Sequence, residues 1–370
     1  MKLSKVVRKI ESNFPISWAE DWDYPGLIAG DPWANIDFIM LALDPSPGVV
    51  EEAANKGADM LLTHHPPSLK PVSRLVKGDP EGGAVYQAIE KGIALYALHT
   101  ALDISPISPS FALAKHLNLL DTEVLAPRDK GQLLKLVCFV PDSDYDRVRE
   151  AVSEAGAGSI GKYSECTFSS KGEGTFKPGA GSSPHIGKRG ELTRVKEKRF
   201  ETILPRHRLS AVLSAMEDAH PYEEVAYDIY RLENEAGSIG YGALGYLSRP
   251  RGVVELVEEL KSYLPASSVN LCGRPETKVS RVAILGGSGA DFLDVAESRG
   301  ADVLITGEVG YHRLRYAEAL GLATVVVGHF ASEWIALPLL KDELAKMVWE
   351  HPGQGVIDIA DTEHDPLWNA

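Results

Sequence analysis

Residues 38–65 read FIMLALDPSPGVVEEAANKGADMLLTHH, and residues 281–308 read RVAILGGSGADFLDVAESRGADVLITGE. At a fixed offset of 243, Gly57, Ala58 and Asp59 fall on Gly300, Ala301 and Asp302, and Leu62 and Thr63 fall on Ile305 and Thr306. Each stretch is an apolar run, a Gly/Pro/Ser turn, a segment of helical period and a second apolar run ending in Thr. That is strand–helix–strand, with strands too apolar to face water on either side. Parallel strands covered on both faces are the natural home of such runs.

Working outward, the likeness extends. The apolar run from Gly92 ends in HTALD (His99 to Asp103), and the run from Gly321 ends in HFASE (His329 to Glu333). With a one-residue gap, His99 falls on His329 and Asp103 on Glu333. The outer thirds therefore read as two related α/β halves of one core, residues 1–130 and 249–370. Residues 131–248 lack the repeat. They read as strand (LLKLVCFVP), helix (DYDRVREAVSEAGAG), a Gly-rich stretch, strand (ELTRVKEKRFETILP), helix (RLSAVLSAMEDAH) and strand (EEVAYDIYRLE), the pattern of a ferredoxin-like α+β domain inserted into the core. At the start of the chain, Leu3, Val6, Ile10 and Phe14 recur at helical spacing, which predicts an amphipathic helix rather than a secretory signal.

The charge bounds the partners. A net charge of −14 argues against bulk nucleic-acid or anionic-membrane binding, and no apolar run is long enough to span a bilayer. The three cysteines, Cys138, Cys166 and Cys272, are far apart and form no CxxC pair, so neither a disulfide framework nor a thiolate zinc site is expected, and a reducing, cytoplasmic setting fits. Residues 171–210 carry ten Lys/Arg and four Asp/Glu, a local +6 that reads first as a solvated strand and loop face. Gly286 to Gly289 could cradle a phosphate at a helix start, but the equivalent DPSPG in the first half reads as a tight βα turn, and the turn reading is favoured. His220-Pro-Tyr-Glu-Glu224 is a ligand contact or a turn that sets the fold.

Metal chemistry is pointed to by where the histidines fall. His64 and His65 end one buried strand, and His-x3-carboxylate follows two others. In open α/β sheets the carboxyl ends of parallel strands form the ligand crevice. Adjacent imidazoles point opposite ways in extended chain, so they diverge to two metals or bracket one. His64, His65, Asp103, His329 and Glu333 together supply about enough N and O ligands for two first-row ions. A lone buried His is more often a satisfied core residue; the joint occurrence at strand ends in both halves changes that balance.

LLTHHPPSL, ALHTALD, LITGEVGYH and GHFASE resemble the Nif-three-like dinuclear metal-centre family, also known as GTP cyclohydrolase type-two homologues, and WDYPGLIAGDP resembles that family's early Asp-Asn-x-Gly-Leu motif. The middle segment resembles the PII/CutA-like insert of its long bacterial members. The resemblance implies a twinned α/β core around one dimetal site, with His64, His65, Asp103, His329 and Glu333 as ligands to two divalent ions (Zn, Mn, Fe, Co or Ni) and one carboxylate bridging. It also implies a toroidal homohexamer with the metals facing an internal cavity. Three departures bear on substrate contacts: Glu308 where Asp is usual, Ala101 where Asn is usual, and Tyr24-Pro25 with Ile28-Ala29 in the early motif. The expected function is a metal-dependent hydrolase of a nucleotide or related phosphorylated heterocycle, of GTP cyclohydrolase or phosphoesterase type, with His99, Glu308 and His312 as candidate catalytic residues. Against each stands a plainer reading: His99 orienting Asp103, and Glu308 with His312 as a structural ion pair. The alternative function is a non-catalytic metal-binding or regulatory protein whose insert senses a ligand.

Overall fold

The computed structural model describes residues 1–128, 133–161, 163–234, 239–266, 268–349, 351 and 353–367. It divides into two compact units, Met1–Arg128 with Gly237–Ala370, and Asp129–Ala236. The boundary expected at 130/131 lies outside the described residues. The one expected at 248/249 moves back, because the strand Gly240–Gly252 pairs with Leu120–Pro127 and Lys278–Ser288 and buries Ala243, Leu244 and Leu247 in the core.

The core unit holds two sheets. In the first, the order is Gly26–Ala29, Ala94–Ala97, Met60–Thr63, Phe38–Ala42 and Val356–Ile359, parallel except for the antiparallel Gly26–Ala29 edge. In the second, the order is Asn270–Cys272, Ala323–Val326, Val303–Glu308, Lys278–Ser288, Gly240–Gly252 and Leu120–Pro127, with the middle three parallel. The repeat holds to the residue. Leu41 pairs with Leu62 and Leu62 with Tyr96, while Ile284 pairs with Ile305 and Ile305 with Val325.

The Gly-Ala-Asp triplet explains why the repeat is legible. Gly57 and Gly300 take left-handed φ of 76° and 71° at the turn out of the helix, a conformation that glycine adopts without strain. Two residues on, the Asp59 carboxylate accepts the backbone N–H groups of Asp37 and Phe38 at 2.8 and 2.9 Å, and Asp302 accepts those of Ser280 and Arg281, both at 2.8 Å. One acid thus ties the start of the second strand of each half to the start of the first. The helix between them in the first half opens on Ser46, whose side chain accepts from Val49 N–H, with Pro47 in the first turn. The expected N-terminal helix spans Leu3–Asn13 and buries Leu3, Val6 and Ile10.

The second unit is a four-stranded antiparallel sheet, in the order Thr167–Phe176, Thr193–Pro205, Leu133–Pro141, Tyr227–Arg231. The Gly-rich stretch, left without a strand in the sequence pattern, contributes its edge strand. Leu134, Leu136, Cys138, Val140, Phe200 and Leu204 bury one face against the helices Tyr145–Glu154 and Leu209–Ala219. Within the basic stretch Arg194 pairs with Glu173, and Lys198 reaches outside it to Asp142 at 3.8 Å. Among the described residues, no helix is long and apolar enough to cross a membrane.

Asp59→Ala and Asp302→Ala each free two backbone amides, and each is expected to cost about 1–3 kcal/mol in urea unfolding, with additive effects because the sites sit in different halves. Buried Glu52 gives a pH test. Burial opposes its charge, but N–H groups of Asp361 and Thr362 and the Lys56 ammonium outweigh burial and lower its pKa to about 2. Its contribution is therefore complete above the ordinary carboxyl value of 4.5 and lost as pH falls through about 2. The stability gap between wild type and Glu52→Gln should be flat above pH 5 and narrow steadily below it.

Candidate metal centre

The site assembles at the carboxyl ends of three parallel strands. The Met60–Thr63 strand keeps its ladder for two residues more: His64 N–H donates to Ala42 O at 3.0 Å and His65 N–H to Leu43 O at 2.8 Å, before Pro66 and Pro67 end it. The two imidazoles bracket a common point, with ring centroids 4.7 Å apart.

That point is the buried carboxylate of Glu333. Its Oε1 lies 3.2 Å from His329 Nε2 and 3.6 Å from His64 Nε2, and its Oε2 lies 3.1 Å from His65 Nε2. Asp103 Oδ1 lies 3.5 Å from His64 Nε2. These are short charge separations with poor hydrogen-bond geometry: both ring nitrogens of His64 and Oε2 of Glu333 are buried without a hydrogen-bond partner. Buried polar atoms left so cost free energy, unless the donors converge on a shared third group. The donor atoms of His64, His65 and Glu333 lie within 4.8 Å of one another, and this group could hold a metal ion. The set fits a divalent cation on chemistry as well, being imidazole nitrogen and carboxylate oxygen.

The electrostatics follow. Burial alone would raise the Glu333 pKa, but the surrounding imidazoles hold it well below the carboxylate range. Burial disfavours the His65 cation, yet Asp44 and Glu333 on either side outweigh that and push its pKa up to about 11. The contact with Glu333 raises that of His329 to about 9. Burial raises the Asp103 pKa.

Two features of the site depart from the sequence reading. The first concerns alignment: His99 N–H bonds His64 O and Gly328 N–H bonds Gly307 O, so the backbone makes His99 the equivalent of Gly328. His329 stands one residue later, where Thr100 stands in the first half. His99 accordingly has φ 40°, unusual for a side chain-bearing residue, against 93° at Gly328. Its Nδ1 meets Asp23 Oδ1 at 2.8 Å, while its ring lies 5.8 and 5.7 Å from those of His64 and His65. Burial opposes charge on Asp23, but His99 and the Thr100 hydroxyl and N–H lower its pKa. The second concerns Glu308 and His312. Glu308 Oε1 lies 3.3 Å from His329 Nδ1, but His312 is exposed at the start of the helix Tyr311–Leu320, with its ring on Tyr311. Neither the alternative Glu308–His312 ion pair nor any contact of the candidate catalytic His312 with the cluster forms among the described residues.

Sequence reasoning also missed supporting residues. Gly287 has φ 67°, and a Cβ there would sit 2.5 Å from Glu333 Oε1. Gly287 of the GGSG run is thus a seat for the central carboxylate, a role visible only once residues 46 positions apart are seen to approach. Asp44 holds His65 Nδ1 at 3.0 Å, and Glu363 accepts the N–H groups of Leu43 and Asp44. Exposed Trp22 lies edge-on to His99, with ring centroids 5.8 Å apart.

The site and fold define an α/β protein with a buried His/Glu cluster able to hold metal at its strand ends. A sequence model of the Duf34/NIF3 (NGG1p interacting factor 3) family matches residues 1–366, and the chain belongs to that family. It is 38% identical over 362 residues to the GTP cyclohydrolase 1 type 2 homolog of Halalkalibacterium halodurans, covering 98% of this chain and 97% of that one. It is also 38% identical over 329 residues to the Bacillus subtilis protein of the same name, covering 89% and 88%. The crystal structure of a Bacillus cereus protein related to NIF3 superposes with a TM-score of 0.90 at 36% identity, over 100% of this chain and 99% of that one.

Gly287→Ala is expected to displace Glu333 and reduce bound metal, measured by elemental analysis of purified protein, by at least tenfold while the fold survives by circular dichroism. Retention of full metal content would remove this role for the glycine.

Proposed function

We propose that the protein is a dinuclear-metal hydrolase acting on a nucleotide or related phosphorylated heterocycle. The observation that carries this reading is Glu333, buried, charged and facing three imidazoles without hydrogen-bond geometry to His64 or His65. His64, His65, Asp103, His329 and Glu333 would hold the ions, with His64, His65 and Glu333 as the group whose donor atoms lie together. Two divalent ions held there would supply Lewis-acid charge and a water of lowered pKa. Zn, Mn, Fe, Co and Ni all suit such donors.

The chain's own residues supply the rest. Asp23 fixes one nitrogen of His99, leaving the other to take or give a proton beside the cluster. Glu308 orients His329 through Nδ1, in the manner of a carboxylate behind a ligating imidazole. His312 has no part in this reading. The exposed indole of Trp22 offers a stacking face next to His99, which suits a flat heterocycle. The names of the relatives point the same way, toward GTP ring opening or a related hydrolysis. We further read the unit of residues 129–236 as an inserted domain of ferredoxin-like, PII-type order, since its strands run second, third, first, fourth across the sheet. We read the assembly as a cytoplasmic homohexamer.

Purified protein should carry about two divalent ions per chain and hydrolyse at least one member of a nucleotide panel when Mn, Zn, Fe or Co is supplied. A His64→Ala/Glu333→Ala variant should lose both properties. Fully loaded protein that turns over no member of the panel would overturn the hydrolase reading. His99→Ala should keep its metal but lose roughly 100-fold or more in kcat. Asp23→Asn should shift the pH profile of kcat without changing metal content.

A further inference from the structure

The second unit has a cavity of its own, of about 710 Å3, on the face of its sheet opposite the two helices. How the sequence makes it is clear from the register. Glu197 stands directly across from Gly172, and Gly174 is the next residue on the same face of the edge strand. A Cβ at Gly174 would lie 2.0 Å from Glu197 Oε2. Glycine inside a strand marks a place where another group comes close to the backbone. Here two glycines strip the sheet bare, and the Glu197 carboxylate lies over the space. The chain after Phe176 folds back across the same face and contributes Pro178, Pro184 and His185 to the wall, and Tyr222 of the HPYEE motif closes it.

Glu197 is only 8% exposed, and among the described residues its one side-chain hydrogen bond comes from the Tyr222 hydroxyl at 3.0 Å. Among the described residues no Lys, Arg or His pairs with it. Arg199, which also lines the cavity, is turned onto Glu201 at 2.8 Å, and Lys171 and Lys177 are exposed at the mouth. A buried carboxylate satisfied by one neutral donor retains free lone pairs, and in a low-dielectric wall it is strongly favourable for a cation to meet them. Around it stand the rings of Phe139, Phe176, Tyr222 and His185, with Phe176 and Tyr222 centroids 5.9 Å apart. An acid set among aromatic rings recognises a flat cation.

We infer that this cavity is a binding site for a small planar ligand bearing an amidine- or guanidine-type pair of N–H donors, which dock on Glu197 while the ring lies against Phe176 and Tyr222. The site is separate from the metal centre and does not rest on the hydrolase reading. It gives the glycine-rich strand and the HPYEE turn a shared purpose, as the two sides of one pocket.

The test is isothermal titration of full-length, metal-loaded protein with benzamidine, and with benzamide as its neutral isostere. Benzamidine should bind saturably at one site per chain, and benzamide at least tenfold more weakly. Glu197→Gln, which keeps shape and removes charge, should weaken benzamidine at least tenfold with an unchanged melting temperature. Phe176→Ala should also weaken it, while His64→Ala/Glu333→Ala should leave it intact. Absence of saturable binding to wild type, or equal binding by Glu197→Gln, would overturn the inference. So would a fall in the oligomeric mass of Glu197→Gln, which would mean that a basic side chain of a second copy fills the pocket.

Discussion

A buried carboxylate that must stay charged is the constraint around which the core is arranged. Glu333 lies beneath the surface with too few hydrogen bonds to compensate its charge, and His64 and His65 are brought to it from one strand end and His329 from another. All but His64 are then braced from behind or beside: His65 by Asp44, His329 by Glu308, and Glu333 itself by the space that Gly287 leaves open. Breaking any one contact leaves the others facing uncompensated charge, which is why such a set behaves as a unit.

The parallel sheets supply the rigidity that this requires. Identical register in both halves brings Thr63 and Thr306 level with the ends of their neighbouring strands, so ligand-bearing segments leave the sheets at matched heights. The single extra residue before His329 breaks the symmetry. It gives the first half a histidine paired with Asp23, and the second half one paired with Glu333. Duplication built the scaffold, and a one-residue slip gave its halves different chemistry.

Much of this was legible in the sequence for a physical reason. The Gly-Ala-Asp triplet combines a left-handed turn with a backbone-binding acid, a requirement so local that it appears as identical letters in both halves. Apolar runs identified the parallel strands because burial on both faces leaves no polar alternation. The five proposed ligands were readable because each follows a strand end. What was hidden depends on tertiary approach: Asp23 is 76 residues from His99, and Glu363 is 320 from the Leu43 amide it accepts. The edge strand Thr167–Phe176 was hidden for the opposite reason, since its glycines look like loop chemistry until Glu197 is seen lying across them. The expected boundary at 248/249 falls inside the strand Gly240–Gly252, because the glycines and proline of GYGALGYLSRPRG look like linker chemistry until its pairing on both sides is seen.

The Val356–Ile359 strand, which pairs in parallel with Phe38–Ala42, has a consequence for biosynthesis. The first sheet gains that strand only after residues through Ile359 have been made, whereas the sheet of the second unit uses residues within 133–231 alone. The intervening unit can therefore collapse while the first half of the core still waits for its partner strand. Contacts spanning such distances form late because loop closure must be met first. In the interval the apolar edge of Phe38–Ala42 has no strand on that side, and an unpaired edge is open to other strands.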